Sequence, residues 1–404
     1  MEQTAVDHRK LYRVPWTLPD NGISWLEPTA LCNLACDGCY RQNEKDSHKT
    51  FEEVKHELDI FDKYRKSDCI SIAGGDPLLY PEIVELTAEI HSRGLKPIIN
   101  TNGKALTMEL LKALKQAGVF GFTFHVDSKQ GRGGKWQGKN EIELNELRLE
   151  YAEMLAEVGG IACSFNSTVY EDTLKYVPDL VEWAHEHIDK VHTMVFIAFR
   201  HVVPNLPMDF YAGGKKVDWH SIMYHSETVR RIDIMSTDLL ATIKERFPDF
   251  EPSAYLNGTE KPDSFKWMFT ERVGTKKMIY GYAGAKFMEM VMIFHHLFKG
   301  SYLSYSSPKL TRKGRASMLL LWPFDKGLRK AVKKYLKNPF RIFRMAHLQT
   351  IMFIQPVDFM EDGRQSMCDG CPDITVYKDK LVWSCRLEEP KKFGTFLNSY
   401  PRDN

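Results

Sequence analysis

The sequence predicts an α/β fold: a partial (β/α)6 TIM barrel, then a mainly helical insertion, then a small cysteine-bearing hairpin extension. Three observations predict it. Six short apolar or β-branched runs alternate with helix-period segments between residues 23 and 200. Glycine or small polar residues follow these runs, where a barrel of parallel strands collects its chemistry. Six of the eight cysteines fall into two tight groups at opposite ends of the 404-residue chain.

Residues 1–22 form a lead-in, broken by Pro15, Pro19 and Gly22. Ile23 to Ala30 reads as the first strand. Thr50-Phe-Glu-Glu53 opens a helix with a capping box, and Val54, Leu58, Ile60 and Phe61 follow at helical spacing. Cys69 to Ala73 is the second strand, and Pro81 opens a helix through His91. Lys96 to Asn100 is the third strand; Thr107 caps the next helix and Gly118 stops it. Val119 to Val126 is the fourth strand, followed by a helix over 141–158. Ile161 to Thr168 is the fifth strand, a helix spans Asp172 to Ile188, and Val191 to Phe199 is the sixth strand. Repeated strand–helix alternation implies parallel strands with right-handed crossovers. The barrel therefore occupies residues 23–200, a basic and aromatic helical region 201–350, and the extension 351–404.

At 43% hydrophobic and 27% charged residues the chain is globular and can bury a sizeable core. A net charge of +2 names no partner. Paired groups of cysteines favour metal ligation in a reducing compartment over a disulfide framework. The first residues lack the basic and apolar regions of a secretory signal, and no apolar run is long enough to span a bilayer. The expectation is a cytoplasmic protein, with attachment to a membrane surface left open.

Cys32-Asn-Leu-Ala-Cys36-Asp-Gly-Cys39 leaves the end of the first strand. Three thiolates so close in sequence converge on one soft metal centre. A tetrahedral zinc wants a fourth ligand, and no His or Cys follows within a few residues. A cubane 4Fe-4S cluster held by three cysteines leaves one iron open. This CxxxCxxC spacing resembles the radical S-adenosylmethionine (radical SAM) superfamily. The resemblance implies that Cys32, Cys36 and Cys39 hold a 4Fe-4S cluster whose open iron is chelated by S-adenosylmethionine.

Further segments resemble the same family. Gly74-Gly75-Asp76-Pro77 is similar to its GGEP turn, with Asp76 in place of Glu; its glycines leave backbone groups accessible to another molecule. Thr101-Asn102-Gly103 is similar to its TNG segment. His125-Val-Asp127 ends the fourth strand, and Ser164 and Asn166 share one face of the fifth. The resemblance implies that Gly74, Gly75, Asp76, Asn102, His125, Asp127, Ser164 and Asn166 seat the cofactor. Ordinary barrel-interior packing is the alternative for His125 and Asn166. Gly38 stands where the family often has an aromatic residue against the adenine, and Tyr40 is the candidate replacement. Over residues 24–200 these variants resemble the branch that contains adenosylhopane synthase. Cys69 and Cys163 read as buried hydrophobes.

The implied reaction is reductive cleavage of S-adenosylmethionine to methionine and a 5′-deoxyadenosyl radical, fed by an electron donor such as ferredoxin or flavodoxin. The radical then takes a hydrogen from the substrate or adds to a double bond. In the second half, a helix is expected from Ser226 through Arg246. Residues 281–299 are rich in Met and Phe, which reads as core or as a wall around a greasy substrate. Residues 301–345 carry twelve Lys or Arg against the single acid Asp325, interleaved with aromatics. That pattern is a solvated face, a lipid-surface contact or a polyanion site, and no nucleic-acid motif accompanies it. Cys368, Cys371 and Cys385 resemble the auxiliary-cluster extensions of radical SAM enzymes; a second iron–sulfur cluster, zinc or free thiols all fit three cysteines. The expected function is radical modification, including carbon–carbon bond formation, of an apolar, lipid-like substrate. The alternatives are a peptide- or protein-modifying radical SAM enzyme and a metal-binding redox regulator or scaffold.

Overall fold

The computed structural model describes residues 6–337 and 344–402. Its strands and helices run in the order β1 (Tyr12–Arg13), β2 (Ile23–Thr29), α1 (Phe51–Tyr64), β3 (Cys69–Gly74), α2 (Ile83–Ser92), β4 (Lys96–Thr101), α3 (Met108–Gln116), β5 (Gly121–His125), α4 (Asn145–Val158), β6 (Ala162–Val169), α5 (Val177–Glu186) and β7 (Thr193–Ala198). The second half adds β8 (Met208–Ala212), β9 (Lys215–Val217), α6 (Ser236–Arg246), β10 (Ala254–Asn257), β11 (Phe265–Thr275), β12 (Met278–Tyr282), α7 (Ala285–Lys299), α8 (Pro308–Thr311), α9 (Gly314–Leu321) and α10 (Lys326–Leu336). It ends with β13 (His347–Ile354), the pair β14 (Asp358–Phe359) and β15 (Gln365–Ser366), the hairpin β16 (Ile374–Tyr377) and β17 (Lys380–Trp383), α11 (Glu388–Phe393) and β18 (Asn398–Pro401).

The six expected strands are β2 to β7, and each pairs in parallel with the next. One face carries Ile70, Ile72, Ile99, Phe122, Phe124, Phe165 and Phe196, which pack with the apolar faces of the helices into the main core. Period-two alternation turns the intervening residues to the other, concave face. There Ser71, Asn100, Thr123, Ser164 and Asn166 stand where a second core would otherwise be.

Among its described residues, the region from 201 to 350 carries strands that were not expected beside the expected helices. Strand β13 continues the sheet in parallel beside β7, and β11 pairs antiparallel with β13 over eight residues. The full sheet has eleven strands among the described residues, in the order β1-β10-β11-β13-β7-β6-β5-β4-β3-β2 with β12 on β11. The run Phe265-Lys-Trp-Met-Phe is aromatic and buried on both faces, which suits a central strand. Because β13 spans 347–354, the expected boundary at 350/351 falls inside a strand. The expected helix from Ser226 begins only at Ser236. There Asp238 reaches back to the Met235 N–H at 2.8 Å, and Arg200 holds the preceding stretch extended by donating to the Ile234 carbonyl at 2.6 Å.

The end of the barrel opposite the cysteine loop is closed by residues 301–307. Ser304 donates from N and Oγ to Asp68 at 2.9 and 2.8 Å, and Lys96 donates to the Tyr305 carbonyl at 3.0 Å. The Tyr305 ring enters among Ile23, Cys69, Ile98 and Phe120. Helices α7, α9 and α10 form a second core with β1, β10 and β11.

Candidate active site

The cysteine loop leaves β2 and is held from several sides. Asn43 accepts from the Cys32 N–H and donates to the Cys32 carbonyl, both at 2.9 Å. Asp37 N–H donates to the Lys129 carbonyl at 2.9 Å, and Tyr170 Oη donates to the Asp37 carbonyl at 2.5 Å. Asn102 donates to Asn33 at 2.8 Å, with Cys32 Sγ 3.7 Å from the same nitrogen. Burial pushes the Cys32 and Cys36 thiols up, and the two other loop sulfurs add to the rise at Cys36, so the three sit within one another's field. The donor set, three soft sulfurs on one loop, fits a thiolate-ligated iron–sulfur cluster. No three His, Cys, Asp or Glu side chains among the described residues are arranged to hold a metal ion.

Gly74 and Gly75 serve the loop directly. A β-carbon on Gly75 would lie 2.2 Å from the Leu31 carbonyl oxygen, and one on Gly74 would lie 2.2 Å from that of Thr29. Their neighbour in space is the backbone of Thr29 to Leu31, where β2 leads into the loop. The Gly75 N–H donates to Thr29 and the Asp76 N–H to Leu31, at 2.9 and 2.8 Å, so these amides are not free for a cofactor as expected. Asp76 is fully buried. Its carboxylate accepts from Thr101 Oγ1 (2.9 and 2.8 Å), Asn102 N (2.9 Å) and Leu78 N (3.0 Å). A carboxylate saturated in this way splices the end of β3 to the end of β4. It is a clamp behind the site and offers no surface to a ligand.

His125 and Asp127 lie where the sequence reading puts them. His125 Nε2 is 2.8 Å from Asp127 Oδ2 and 3.0 Å from Thr168 Oγ1, and the ring is 36% exposed. Burial presses the Asp127 carboxyl upward, yet the contact with His125 and backbone donors bring it below its ordinary value. Asn166 pairs in register with His125 on the same concave face, whereas Ser164 lies two residues deeper.

Several residues escaped the sequence reading. Arg132 donates to the Asn102 and His125 carbonyls at 2.7 and 2.9 Å and eases the Cys36 thiol downward. With Asp127 and Trp136 it lines a cavity of about 250 Å³. Gly38 adopts φ +83°, and a β-carbon there would meet Tyr170 Oη at 2.9 Å and the Phe199 ring at 3.2 Å. Tyr170 and Phe199 occupy the space beside Gly38, and Arg230 lies over both rings while pairing with Asp37. Tyr40 packs against that aromatic cluster. Burial, reinforced by the field of Glu27, lifts its hydroxyl well above the ordinary range. Only the glycine at 38 hinted at this arrangement in the sequence.

The second cysteine group sits against the edge strand β2. The Cys371 thiol is pushed well up by its hydrogen bond with Cys368 and by burial, and burial lifts Cys385 to about 12, with Cys368 again adding. Asp373, lifted to about 7 by burial, adds to both. All eight cysteines are free thiols. Two buried arginines tie the extension to the barrel. Arg41 donates to Glu27 at 2.5 Å, to Glu388 at 2.9 Å and to the Ser384 carbonyl at 3.0 Å. Arg65 donates to the carbonyls of Ile23, Cys371 and Pro372 at 2.9, 2.8 and 3.2 Å. The two cysteine groups are thus separate sites joined through Arg41.

A match to the Radical SAM superfamily spans residues 26–184. The chain is 33% identical over 111 residues to the tungsten-containing aldehyde ferredoxin oxidoreductase cofactor-modifying protein of Pyrococcus furiosus, covering 26% of this chain and 30% of that protein. It is 30% identical over 196 residues to an AdoMet-dependent heme synthase of Nitratidesulfovibrio vulgaris, covering 45% of this chain and 51% of that one. Among solved structures, Streptococcus suis SuiB bound to S-adenosylmethionine aligns at 16% identity and TM-score 0.40, over 58% of this chain and 48% of that one. The chain spans about half the length, or less, of the curated relatives it matches.

Proposed function

We propose, on the premise that this chain carries a radical SAM superfamily domain over residues 26–184, that it performs reductive radical chemistry on an apolar, lipid-like substrate, carbon–carbon bond formation included. The observation that carries the chemistry is the Cys32, Cys36 and Cys39 loop, pinned to the ends of β3, β4 and β5. When bound, a 4Fe-4S cluster with S-adenosylmethionine supplies the electron transfer that yields a 5′-deoxyadenosyl radical.

The chain's own residues set the frame for that step. Asn102, donating to Asn33 beside Cys32, holds the cysteine loop against the end of β4. His125, tethered by Asp127 and Thr168, presents a half-exposed ring at the same level, and Asn166 an amide beside it. The 127–132 loop braces the cysteine loop, its Lys129 carbonyl accepting from the Asp37 N–H and Arg132 lying within the field of Cys36. Cys368, Cys371 and Cys385 would supply the ligands of an auxiliary iron–sulfur cluster, with Asp373 adding to the field at Cys371 and Cys385. An electron donor protein such as ferredoxin or flavodoxin completes the system.

The lipid reading draws on the surface of α7, α9 and α10. Phe294, Leu297, Phe298, Leu320 and Phe324 are exposed by 53–78%. Lys309, Arg312, Lys326, Arg329 and Lys333 lie exposed on the neighbouring elements. Apolar side chains set among cations suit an anionic bilayer surface. The expected Arg341, Phe340 and Phe343 lie outside the described residues. No helix among the described residues is long and apolar enough to cross a membrane.

The test is anaerobic reconstitution with iron and sulfide, reduction, and measurement of 5′-deoxyadenosine from S-adenosylmethionine. The expected result is formation by the wild type and a loss of at least a hundredfold in Cys32→Ala, Cys36→Ala and Cys39→Ala. A wild type with an intact cluster that forms none overturns the reading.

A further inference from the structure

Residues 226–234 form neither helix nor strand, yet both ends of this strap are tied to the chain that follows β7. The Ser226 N–H donates to the Val202 carbonyl at 2.9 Å, and Arg200 donates to the Ile234 carbonyl at 2.6 Å. Between the two ties, Arg230 Nη2 donates to Oδ2 of Asp37, the residue after Cys36. The Arg230 guanidinium carbon lies 5.3 Å from the Tyr170 ring centre and 5.6 Å from that of Phe199. Stacking over aromatic faces fixes the plane of a guanidinium, so its donors stay aimed at the carboxylate. The side chains of Arg230 and Asp37 are only 21% and 34% exposed, which leaves their attraction less screened than at an open surface.

Asp37 is held at its amide, its carbonyl and its side chain. The N–H donates to the Lys129 carbonyl at 2.9 Å, the carbonyl accepts from Tyr170 Oη at 2.5 Å, and the carboxylate accepts from Arg230. The next residue, Gly38, stands at φ +83°. A glycine has many backbone states open to it, so this turn keeps one shape only while its neighbours hold it. The space beside Gly38 is filled by Tyr170 and Phe199, whose ring centres lie 4.9 Å apart, and Arg230 covers both. One side chain from the strap thus presses the rings and grips the carboxylate at the turn between Cys36 and Cys39.

We propose that Arg230 is a positioning residue for the cysteine loop: the strap 226–234 carries it to Asp37, and their bond holds the turn between Cys36 and Cys39 closed. Without the latch, the loop opens locally while the rest of the fold stays intact. The spacing of the three sulfurs therefore depends on a segment beyond the barrel strands that bear them. The use of that spacing rests on the cluster-binding reading above; the latch itself belongs to the chain with its thiols free.

The test uses the full chain, reduced and free of metal, with iodoacetamide as the probe at one fixed pH. Mass spectrometry follows the alkylation rate of each cysteine. Arg230→Ala and Asp37→Ala are each expected to speed modification of Cys36 at least tenfold, while Cys163 and Cys371, buried elsewhere in the fold, keep their wild-type rates. Arg230→Lys keeps a cation for Asp37 without the planar stack, and its rate is expected between wild type and alanine. The double alanine variant is expected to match the faster single one, because the two side chains make one bond. An unchanged Cys36 rate in either single variant, equal acceleration of all three cysteines, or single effects that multiply in the double variant each overturn the proposal. Should Arg230→Ala fail to fold, Arg230→Lys and Asp37→Ala decide by the same criteria. Formation of 5′-deoxyadenosine by reconstituted protein is read separately. Its absence from wild type would sink the radical chemistry and leave the alkylation result to stand or fall by itself.

Discussion

Glu271 shows how a single side chain reports on its surroundings. Burial lifts its carboxyl to about 7, with the Thr350 hydroxyl and Arg272 pulling the other way. A carboxyl raised above its unfolded value near 4.3 favours folding most when protonated. The stability it contributes is complete below about pH 4 and is lost as pH rises through 7. Glu271→Gln keeps the shape without the charge. Urea unfolding is expected to find the variant level with wild type near pH 4.5 and more stable by on the order of 2–4 kcal/mol at pH 8. A difference that stays flat with pH would refute a buried, reluctant carboxyl. Asp76 teaches the opposite lesson about legibility. Its place in a family-like turn was plain in the sequence, yet its role was not. Four hydrogen bonds arriving from β4 and the turn after β3 depend on a tertiary approach that no local pattern encodes. Gly38 was readable as a departure, but the rings beside it come from residues 170 and 199.

At the scale of elements, the six alternating strands and their helices were legible because each carries its own signal. Helix α1 is the clearest case. Thr50 accepts from the Glu53 N–H at 3.3 Å while Glu53 returns to the Thr50 N–H at 2.7 Å, completing the capping box seen in the sequence. Thr50→Ala is expected to cost about 1 kcal/mol. Thermal unfolding then falls by a few degrees, and Thr50→Ser restores most of the loss; a neutral alanine variant would count against the cap. Strands β10 to β13 were less legible. Strand β11 runs antiparallel, between β10 and a β13 that arrives more than seventy residues later. Its partners are set by long-range packing, and its alternation is blurred because both faces are buried. The lead-in to α6 misled because its residues 226–235 read as helix-compatible, while a tertiary bond from Arg200 holds that stretch extended.

For the whole molecule, the joint at Arg41 ties the extension to the cysteine-loop end of the barrel. One guanidinium serves Glu27 on β2, Glu388 on α11 and the backbone ahead of Cys385. Its removal leaves Glu27 buried without a counter-charge and Glu388 with Lys391 at 3.4 Å, a loss of about 3–5 kcal/mol. Arg41→Met is expected to lower the urea midpoint accordingly and to raise protease cleavage after residue 360; an unchanged midpoint would show the joint to be idle. At the same scale, the exposed apolar side chains of α7 and α9 predict flotation with vesicles of phosphatidylglycerol but not of phosphatidylcholine. Leu297→Glu with Phe298→Glu is expected to abolish it, and equal flotation with both lipids would remove the electrostatic part. The overall frame was readable from the two cysteine groups and the strand ends; their connection through Arg41 was not, because it spans 347 positions of chain.

The segment 301–307, with Tyr305 set into the base of the barrel, has a consequence for turnover. With that end stoppered, traffic is directed toward the cysteine end. On the proposed chemistry, a molecule seated deepest would arrive first and depart last, and spent nucleoside and methionine nearer the cysteine loop would stand between the product and solvent. Their exit would then govern the steady-state rate, and added 5′-deoxyadenosine would hold the product in as well as slow the next cycle.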